Sequence, residues 1–108
     1  MTLDRYADAV GDLDPATGTV ATAEVVVTDD VLVKAFVLAP GSEIDAHEHA
    51  DATNVFHVLE GEPTVVREGE TERLAAPAVV HNARGDVHGA RNESDDRAVL
   101  TASLCPLP

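Results

Sequence analysis

Short apolar runs separated by turn-forming residues most restrict the fold of this chain. From Val20 onward, such runs are interrupted by glycine, proline or paired aspartates roughly every eight to twelve residues. The runs are ATAEVVV, VLVKAFVL, NVFHVLE, PTVVRE, TERLAA, AVVHN, DVHGARN and RAVLTASL. β-Branched residues and alternation of apolar with polar side chains are typical of strands that bury one face. The pattern predicts an all-β sandwich or barrel with antiparallel neighbours and hairpin turns at Gly61–Glu62 and Glu68–Glu70.

The 108 residues suit one domain with a hydrophobic core and are too few for two. Residues 1–19 are interpreted as a polar lead-in, and residues 20–108 as the single barrel domain. One short helix is predicted in the lead-in from apolar residues at helical spacing: Leu3, Tyr6, Ala7 and Val10.

The charge balance restricts the partners of the chain. Twenty acidic residues against seven basic ones give a formal net charge of −13, which repels nucleic acid phosphates and anionic membranes. The apolar runs are too short for a transmembrane helix, and the N-terminus lacks the apolar stretch of a secretory signal. The only cysteine, Cys105, cannot form an internal disulfide. These features predict a cytoplasmic protein without nucleic acid or membrane partners.

An acidic surplus of this size, with Lys34 as the only lysine, resembles the cytosolic proteins of salt-accumulating halophiles. Concentrated salt shortens the range of the charge repulsion on such a surface to a few ångströms. The alternative is an ordinary acidic mesophilic protein.

Two of the five histidines have the spacing of metal ligands. His47 and His49 are two residues apart, so on a strand both side chains leave the same face and can converge on one ion. An isolated pair of this kind also arises by chance on protein surfaces. Here Gly41 precedes the pair, and His88 follows on a later predicted strand.

The residues around this pair resemble the first sequence motif of the cupin family. That motif is a glycine, five residues, His-x-His, an acidic position three or four residues later, and a glycine after six more. Gly41, His47, His49, Asn54 and Gly61 follow this spacing.

A second stretch resembles the second cupin motif, in which a proline-containing turn ends in glycine, histidine follows after two residues and asparagine after three more. Pro77, Ala83, Gly85, His88 and Asn92 occupy the corresponding positions. The resemblance covers roughly Val31–Leu104. Pro77 and Ala83 replace a glycine and a proline of the family pattern, which affects turn geometry but not the ligands.

Two further departures concern the site itself. Asn54 stands where the family usually has a metal-binding glutamate, and His57 stands where a tyrosine is common. Strand alternation places Asn54, Phe56 and Val58 on one face and His57 on the other. If Asn54 faces the interior, His57 is therefore a packed or interface histidine and not a ligand.

The resemblance implies a double-stranded β-helix, or jelly-roll barrel, with a divalent transition metal held by His47, His49 and His88. Nitrogen ligands suit Fe, Ni, Cu or Zn. Asn54 would bind the ion weakly through its amide oxygen or hydrogen-bond a bound water or substrate. Asp45 or Asp51 is a less favoured source of a carboxylate ligand.

Three residues are candidates for binding a small-molecule substrate: Asn54, Phe56 and Arg84. A surface partner for a carboxylate is the simpler role for Arg84. His81 is interpreted as a surface histidine of its strand, with a fourth metal ligand as the less favoured alternative. No residue is identified as a catalytic acid or base.

Three functions remain open. The first is a metal-dependent enzyme on a small organic molecule, resembling cupin dioxygenases or isomerases. The second is a non-catalytic module that binds a metal or a small molecule, and the third is a metal-free barrel that acts by oligomerising. Small cupins usually form homodimers by extending each other's sheets, and the strand over residues 23–27 is the candidate for this contact.

The charge leads to a first prediction. Low ionic strength should weaken both the fold and the dimer, because repulsion is then unscreened over about 10 Å or more. Thermal unfolding and sedimentation, each compared between dilute buffer and molar KCl, measure the two effects. A melting temperature that does not respond to salt would contradict the halophilic interpretation.

Overall fold

The computed structural model describes residues 5–106. Leu3, the side chain of Tyr6, and residues 107 and 108 of the predicted domain lie outside this description.

Two antiparallel sheets form the body of the molecule, which confirms the predicted all-β jelly-roll fold. One sheet has five strands in the order β1-β2-β9-β4-β7, and the other has four in the order β3-β8-β5-β6. The elements are α1 (Arg5–Val10), β1 (Val20–Val27), β2 (Leu32–Leu38), β3 (Glu43–His47), β4 (Thr53–Glu60), β5 (Thr64–Arg67), β6 (Glu70–Arg73), β7 (Ala78–Asn82), β8 (His88–Arg91) and β9 (Ala98–Cys105). The β3 segment is exposed along most of its length, so its sequence lacks the apolar run by which the other strands are recognised.

The hydrophobic core lies on the inner faces of the sheets. Its largest buried side chains come from alternate positions of the central strands: Leu38, Phe56, Val58, Val65 and Leu100. In β4 the inward residues are buried, while His57 between them is exposed. Strand alternation therefore predicted the two faces of β4 correctly, although His57 is not packed.

A second apolar cluster lies on the outer face of the five-stranded sheet, where α1 packs. Val10 contributes to this cluster together with Ala35, Val37 and Val99. The short helix predicted in the lead-in is thus confirmed, and its apolar side explains why this part of the sheet is buried on both faces. The only helix in the described residues has six residues, well below the length that a membrane span needs.

The two predicted hairpin turns have different outcomes. Glu68 and Gly69 both have positive φ, at 51° and 80°, and join β5 to its partner β6 in a two-residue hairpin. The prediction at Gly61–Glu62 is wrong, because β4 and β5 lie in different sheets and do not pair. Gly61 begins a crossover between the sheets, which a local turn pattern does not distinguish from a hairpin.

Asn92 ties together the segments that follow β2 and β8. Its buried Nδ2 donates to the Leu38 carbonyl at 2.9 Å and to the Asp96 carbonyl at 2.8 Å. Its Oδ1 accepts from the backbone N–H of Ser94. The last residue of the second motif therefore satisfies backbone groups at a strand end.

Gly61 and Gly69 provide a matched test of the crossover. Both have positive φ, so replacing either by alanine should cost about 1 kcal/mol or more of stability in backbone strain. A Cβ on Gly61 would also lie 2.5 Å from the Arg97 carbonyl oxygen, whereas one on Gly69 would meet no atom of residues 5–106 within 4 Å. Gly61→Ala should therefore destabilise by about 1–3 kcal/mol more than Gly69→Ala. Urea unfolding measures both, and equal losses would show that the crossover is not tightly packed.

Candidate metal centre

Three histidines converge at one end of the barrel. The pairing of β3 with β8 places His47 directly opposite His88, and His49 lies just beyond the end of β3. One ring nitrogen from each residue lies within 4.8 Å of the other two. The structure thus brings together the three residues that were predicted to hold a metal.

Strand alternation does not explain the position of His49, however, because β3 ends at His47. The backbone N–H of Gly85 donates to the His49 carbonyl at 3.0 Å. This bond joins the loop that carries His49 to the loop that precedes His88. The predicted convergence is correct, but a contact between two loops produces it.

The tautomers of two of the rings follow from their hydrogen bonds. Nδ1 of His47 lies 2.8 Å from the Asp45 carbonyl oxygen, and Nδ1 of His88 lies 2.9 Å from that of Asp86. A carbonyl oxygen only accepts, so Nδ1 of each neutral ring carries the proton. The lone pair is then on Nε2, the arrangement by which a second hydrogen bond orients a metal-ligating imidazole.

The environment of His88 shows that the residues fit a metal ion. The side chain is almost completely buried, at 1% exposure, and its Nε2 has no hydrogen-bond partner within residues 5–106. A buried acceptor without a partner is unfavourable by roughly 1–3 kcal/mol, and a cation that accepts its lone pair removes this cost. All three donors are imidazoles, which bind divalent transition metals well.

The site lies at the mouth of the barrel and not in its centre. His47 is exposed, His49 is half-buried and His88 is buried, so the cluster runs from the surface inward. The ring of Phe56 lies 5.5 Å from the His88 ring in an edge-to-face contact. Phe56 therefore forms an apolar floor beneath the cluster.

The amide oxygen of Asn54 accepts a hydrogen bond from a neighbouring strand. Asn82 is opposite Asn54 in the pairing of β7 with β4, and its Nδ2 donates to Asn54 Oδ1 at 3.0 Å. Both side chains are buried. Sequence reasoning missed Asn82, because nothing in AVVHN marks its last residue as the partner of a side chain 28 positions earlier.

The remaining candidates lie outside the cluster. Within the described residues, no aspartate or glutamate contributes an oxygen to the group, so Asp45 acts through its carbonyl and Asp51 does not take part. His57 and His81 are exposed on strands β4 and β7. Arg84 is exposed in the loop between β7 and β8, and its role in substrate binding stays a prediction.

Burial shifts the acid–base behaviour of the site. It lowers the pKa of His88 and of His49 below the ordinary value of 6.5, mainly because the charged ring loses hydration, and the neighbouring imidazoles add to the effect. For His88 the bond to the Asp86 carbonyl opposes this decrease. The neutral rings that metal binding requires are thus favoured by the fold itself.

The lowered pKa values predict how the stability of the metal-free protein depends on pH. As the pH falls, these histidines take up protons at a higher pH in the unfolded chain than in the folded one. Their contribution to the stability of the fold is therefore fully present above pH 6.5 and is lost as the pH falls from there toward the folded pKa. The free energy of unfolding in urea should therefore decrease between about pH 7.5 and pH 5.5, and less so in His88→Gln. His57→Gln, altered on the exposed face, should follow the wild type. An identical decrease in all three proteins would contradict the assignment to His88.

Solved structures similar to this chain share its architecture. The protein TT1209 of Thermus thermophilus has 31% sequence identity and a TM-score of 0.78, with 82% of this chain and 85% of that chain covered. A Klebsiella pneumoniae protein with a double-stranded β-helix domain has 25% identity and a TM-score of 0.80, over 98% and 88% of the two chains. A predicted oxalate decarboxylase of Thermotoga maritima has 22% identity and a TM-score of 0.77, over 82% and 81%.

A comparison with curated proteins finds no significant match. The family model described as a cupin domain matches residues 35–104, which include both motifs and all three clustered histidines. With the two sheets and the placement of those histidines, this match shows that the chain belongs to the cupin family.

Proposed function

We propose that the protein is a metal-dependent enzyme that binds one divalent transition-metal ion through His47, His49 and His88 and acts on a small organic molecule. The observation that carries the proposal is the buried Nε2 of His88, which has no partner in residues 5–106 and lies close to the ring nitrogens of the other two histidines. Such an atom is explained by a ligand that accepts a lone pair.

The donor set favours Fe, Ni, Cu or Zn, because imidazole nitrogens suit these ions better than they suit Mg or Ca. When bound, the ion would supply a Lewis acid with open positions for an oxygen ligand. Three neutral rings add no negative charge of their own.

Other groups of the chain orient the ligands, exclude water and contact the bound molecule. The backbone carbonyls of Asp45 and Asp86 hold two of the rings in the metal-binding tautomer. Phe56 excludes water from beneath the site, and Asn54 is a buried polar group on the same face of β4. Arg84, in the loop before His88, is proposed to attract the charge of an anionic ligand.

A non-catalytic metal-binding or small-molecule-binding module is the second candidate. It is favoured by the composition of the cluster, which within the described residues contains three imidazoles and no carboxylate, thiol or further histidine. The enzyme and a metal-binding module require the same ion and differ only in turnover.

Metal analysis tests the shared part of both functions. Protein purified without a histidine tag should retain close to one equivalent of Fe, Ni, Cu or Zn, and His88→Ala and His49→Ala should lose most of it. His57→Ala and His81→Ala are matched controls because these histidines are exposed outside the cluster. A wild type without metal after incubation with each ion, or equal retention in all variants, would contradict the site.

Turnover separates the enzyme from the binding module. Oxygen uptake by the metal-loaded protein should be measured with diketones, thiols and catechols. Oxalate belongs in the same panel, with release of carbon dioxide as the readout, because the similar Thermotoga maritima protein is a predicted oxalate decarboxylase. Activity that is lost in His88→Ala supports the enzyme, and bound metal without turnover supports the module.

We further propose that the chain works as a homodimer in the salt-rich cytoplasm that its acidity suggests. β1 is an outer strand of the five-stranded sheet, and Val27 at its end is 58% exposed. An unpaired strand edge is a template for pairing with a second chain. The comparison of dilute buffer with molar KCl described above tests this assembly.

A further inference from the structure

Asn54 and Asn82 form a buried amide pair across two strands of the barrel. Their side chains are 2% and 0% exposed, and one hydrogen bond of 3.0 Å joins them. Burying an amide is unfavourable unless its polar atoms are paired, so each atom of the two groups needs a partner. The proposed metal site alone does not explain the hydrogen bond between them.

The orientation of the two amides follows from the atom that stays unpaired. As described, Asn82 Oδ1 has no partner within residues 5–106. Turning both amides would instead place the Asn82 NH₂ group in this fully buried, unpaired position, and unpaired buried N–H groups are rarer than under-satisfied carbonyl oxygens. The outer amide atom of Asn54 is not under the same constraint, because it is not among the fully buried atoms without a partner. Turning only one would place two N–H groups or two carbonyl oxygens against each other. The Asn54 oxygen therefore accepts from Asn82, and the Asn54 NH₂ group has no protein partner in the described part of the chain.

The pair lies at the metal end of the barrel. β4 begins next to Asn54 and β7 ends at Asn82, so the loops that leave this end are residues 48–52 and 83–87. The first loop carries His49 and the second leads to His88. The hydrogen bond from the Gly85 N–H to the His49 carbonyl holds the two loops together.

A second contact supports the same placement. Asn54 and Phe56 point to the same side of β4, about 7 Å apart along the strand. Phe56 in turn contacts the ring of His88. Asn54 therefore lies one inward position along β4 from the ring that contacts His88, on the side where the loop that carries His49 enters the strand.

We propose that Asn82 is a positioning residue that fixes the Asn54 amide as a hydrogen-bond donor, and that the metal-bound ligand is a small carboxylate. This inference rests on the proposed metal site. An amide nitrogen donates hydrogen bonds but has no lone pair for a metal, so Asn54 does not replace a carboxylate ligand. An ion held by three neutral imidazoles retains its full charge, which favours an anionic ligand. A carboxylate meets both conditions because one oxygen can bind the ion while the other accepts from Asn54.

Anion binding to the cobalt-loaded protein tests this proposal. The visible spectrum of bound Co²⁺ reports the binding of two probes, acetate and the neutral ligand imidazole. Asn54→Leu, which has nearly the same shape, should weaken acetate binding by about tenfold, the value of one hydrogen bond to a charged group. Imidazole binding should stay within about twofold, since it does not use the donor.

The role of Asn82 requires a double-mutant cycle. Asn82→Leu should weaken acetate binding when Asn54 is present and have no further effect in the Asn54→Leu background, because it acts only through that residue. An effect of the same size in both backgrounds would overturn the positioning role.

Other outcomes separate this proposal from the metal site. Equal acetate affinity in the wild type and Asn54→Leu would overturn the donor role while the bound Co²⁺ still supports the metal site. Equal weakening of acetate and imidazole would also overturn it, because a structural defect affects both probes. A wild type that takes up no Co²⁺ would contradict the proposed function itself. If the leucine variants do not fold, Asn54→Ala removes the same donor without adding apolar bulk, and the same comparisons apply.

Discussion

The antiparallel pairing of β3 with β8 is the contact on which the rest of the site depends. It sets His47 opposite His88, and in both residues the ring bonds to the carbonyl two positions earlier in the chain. The same local arrangement thus fixes the tautomer on both strands. Gly89, next to His88, allows this pairing, because a Cβ there would lie 2.7 Å from the Ile44 carbonyl oxygen. The close approach of the two backbones and the convergence of the two imidazoles therefore have one structural cause.

The inside of the barrel changes character along its length. Leu38, Val58 and Leu100 fill one part with apolar side chains, while His88 and the Asn54–Asn82 pair introduce polar groups toward the mouth. Phe56 separates the two regions. A buried polar atom without a partner needs an explanation, and water, an ion or a ligand at that place is one. The atoms of His88 and Asn82 that have no partner within residues 5–106 therefore distinguish the mouth from an ordinary core.

Three acidic residues stand next to the first two histidines in the sequence, but none belongs to the ligand group. Asp45, Glu48 and Asp51 are exposed beside the first two histidines, but no carboxylate of the described residues enters the ligand group. An acidic rim raises the local concentration of cations at the mouth. The ligands themselves stay neutral, so the bound ion keeps a charge that an external molecule can neutralise. The exposed carboxylates therefore attract cations, whereas the lack of a carboxylate at position 54 leaves the bound ion its charge.

The sequence by itself determined the strand-rich fold, the faces of β4 and the identity of the three clustered histidines. These properties depend on alternation within single strands and on two motifs with defined spacing, both of which are local. Only the tertiary structure decided that Gly61 begins a crossover, that a loop contact positions His49, and that Asn82 is the partner of Asn54. Each of these depends on which strands become neighbours and in what register. Such contacts join residues far apart in the chain, and the residues on either side carry no local pattern that specifies them.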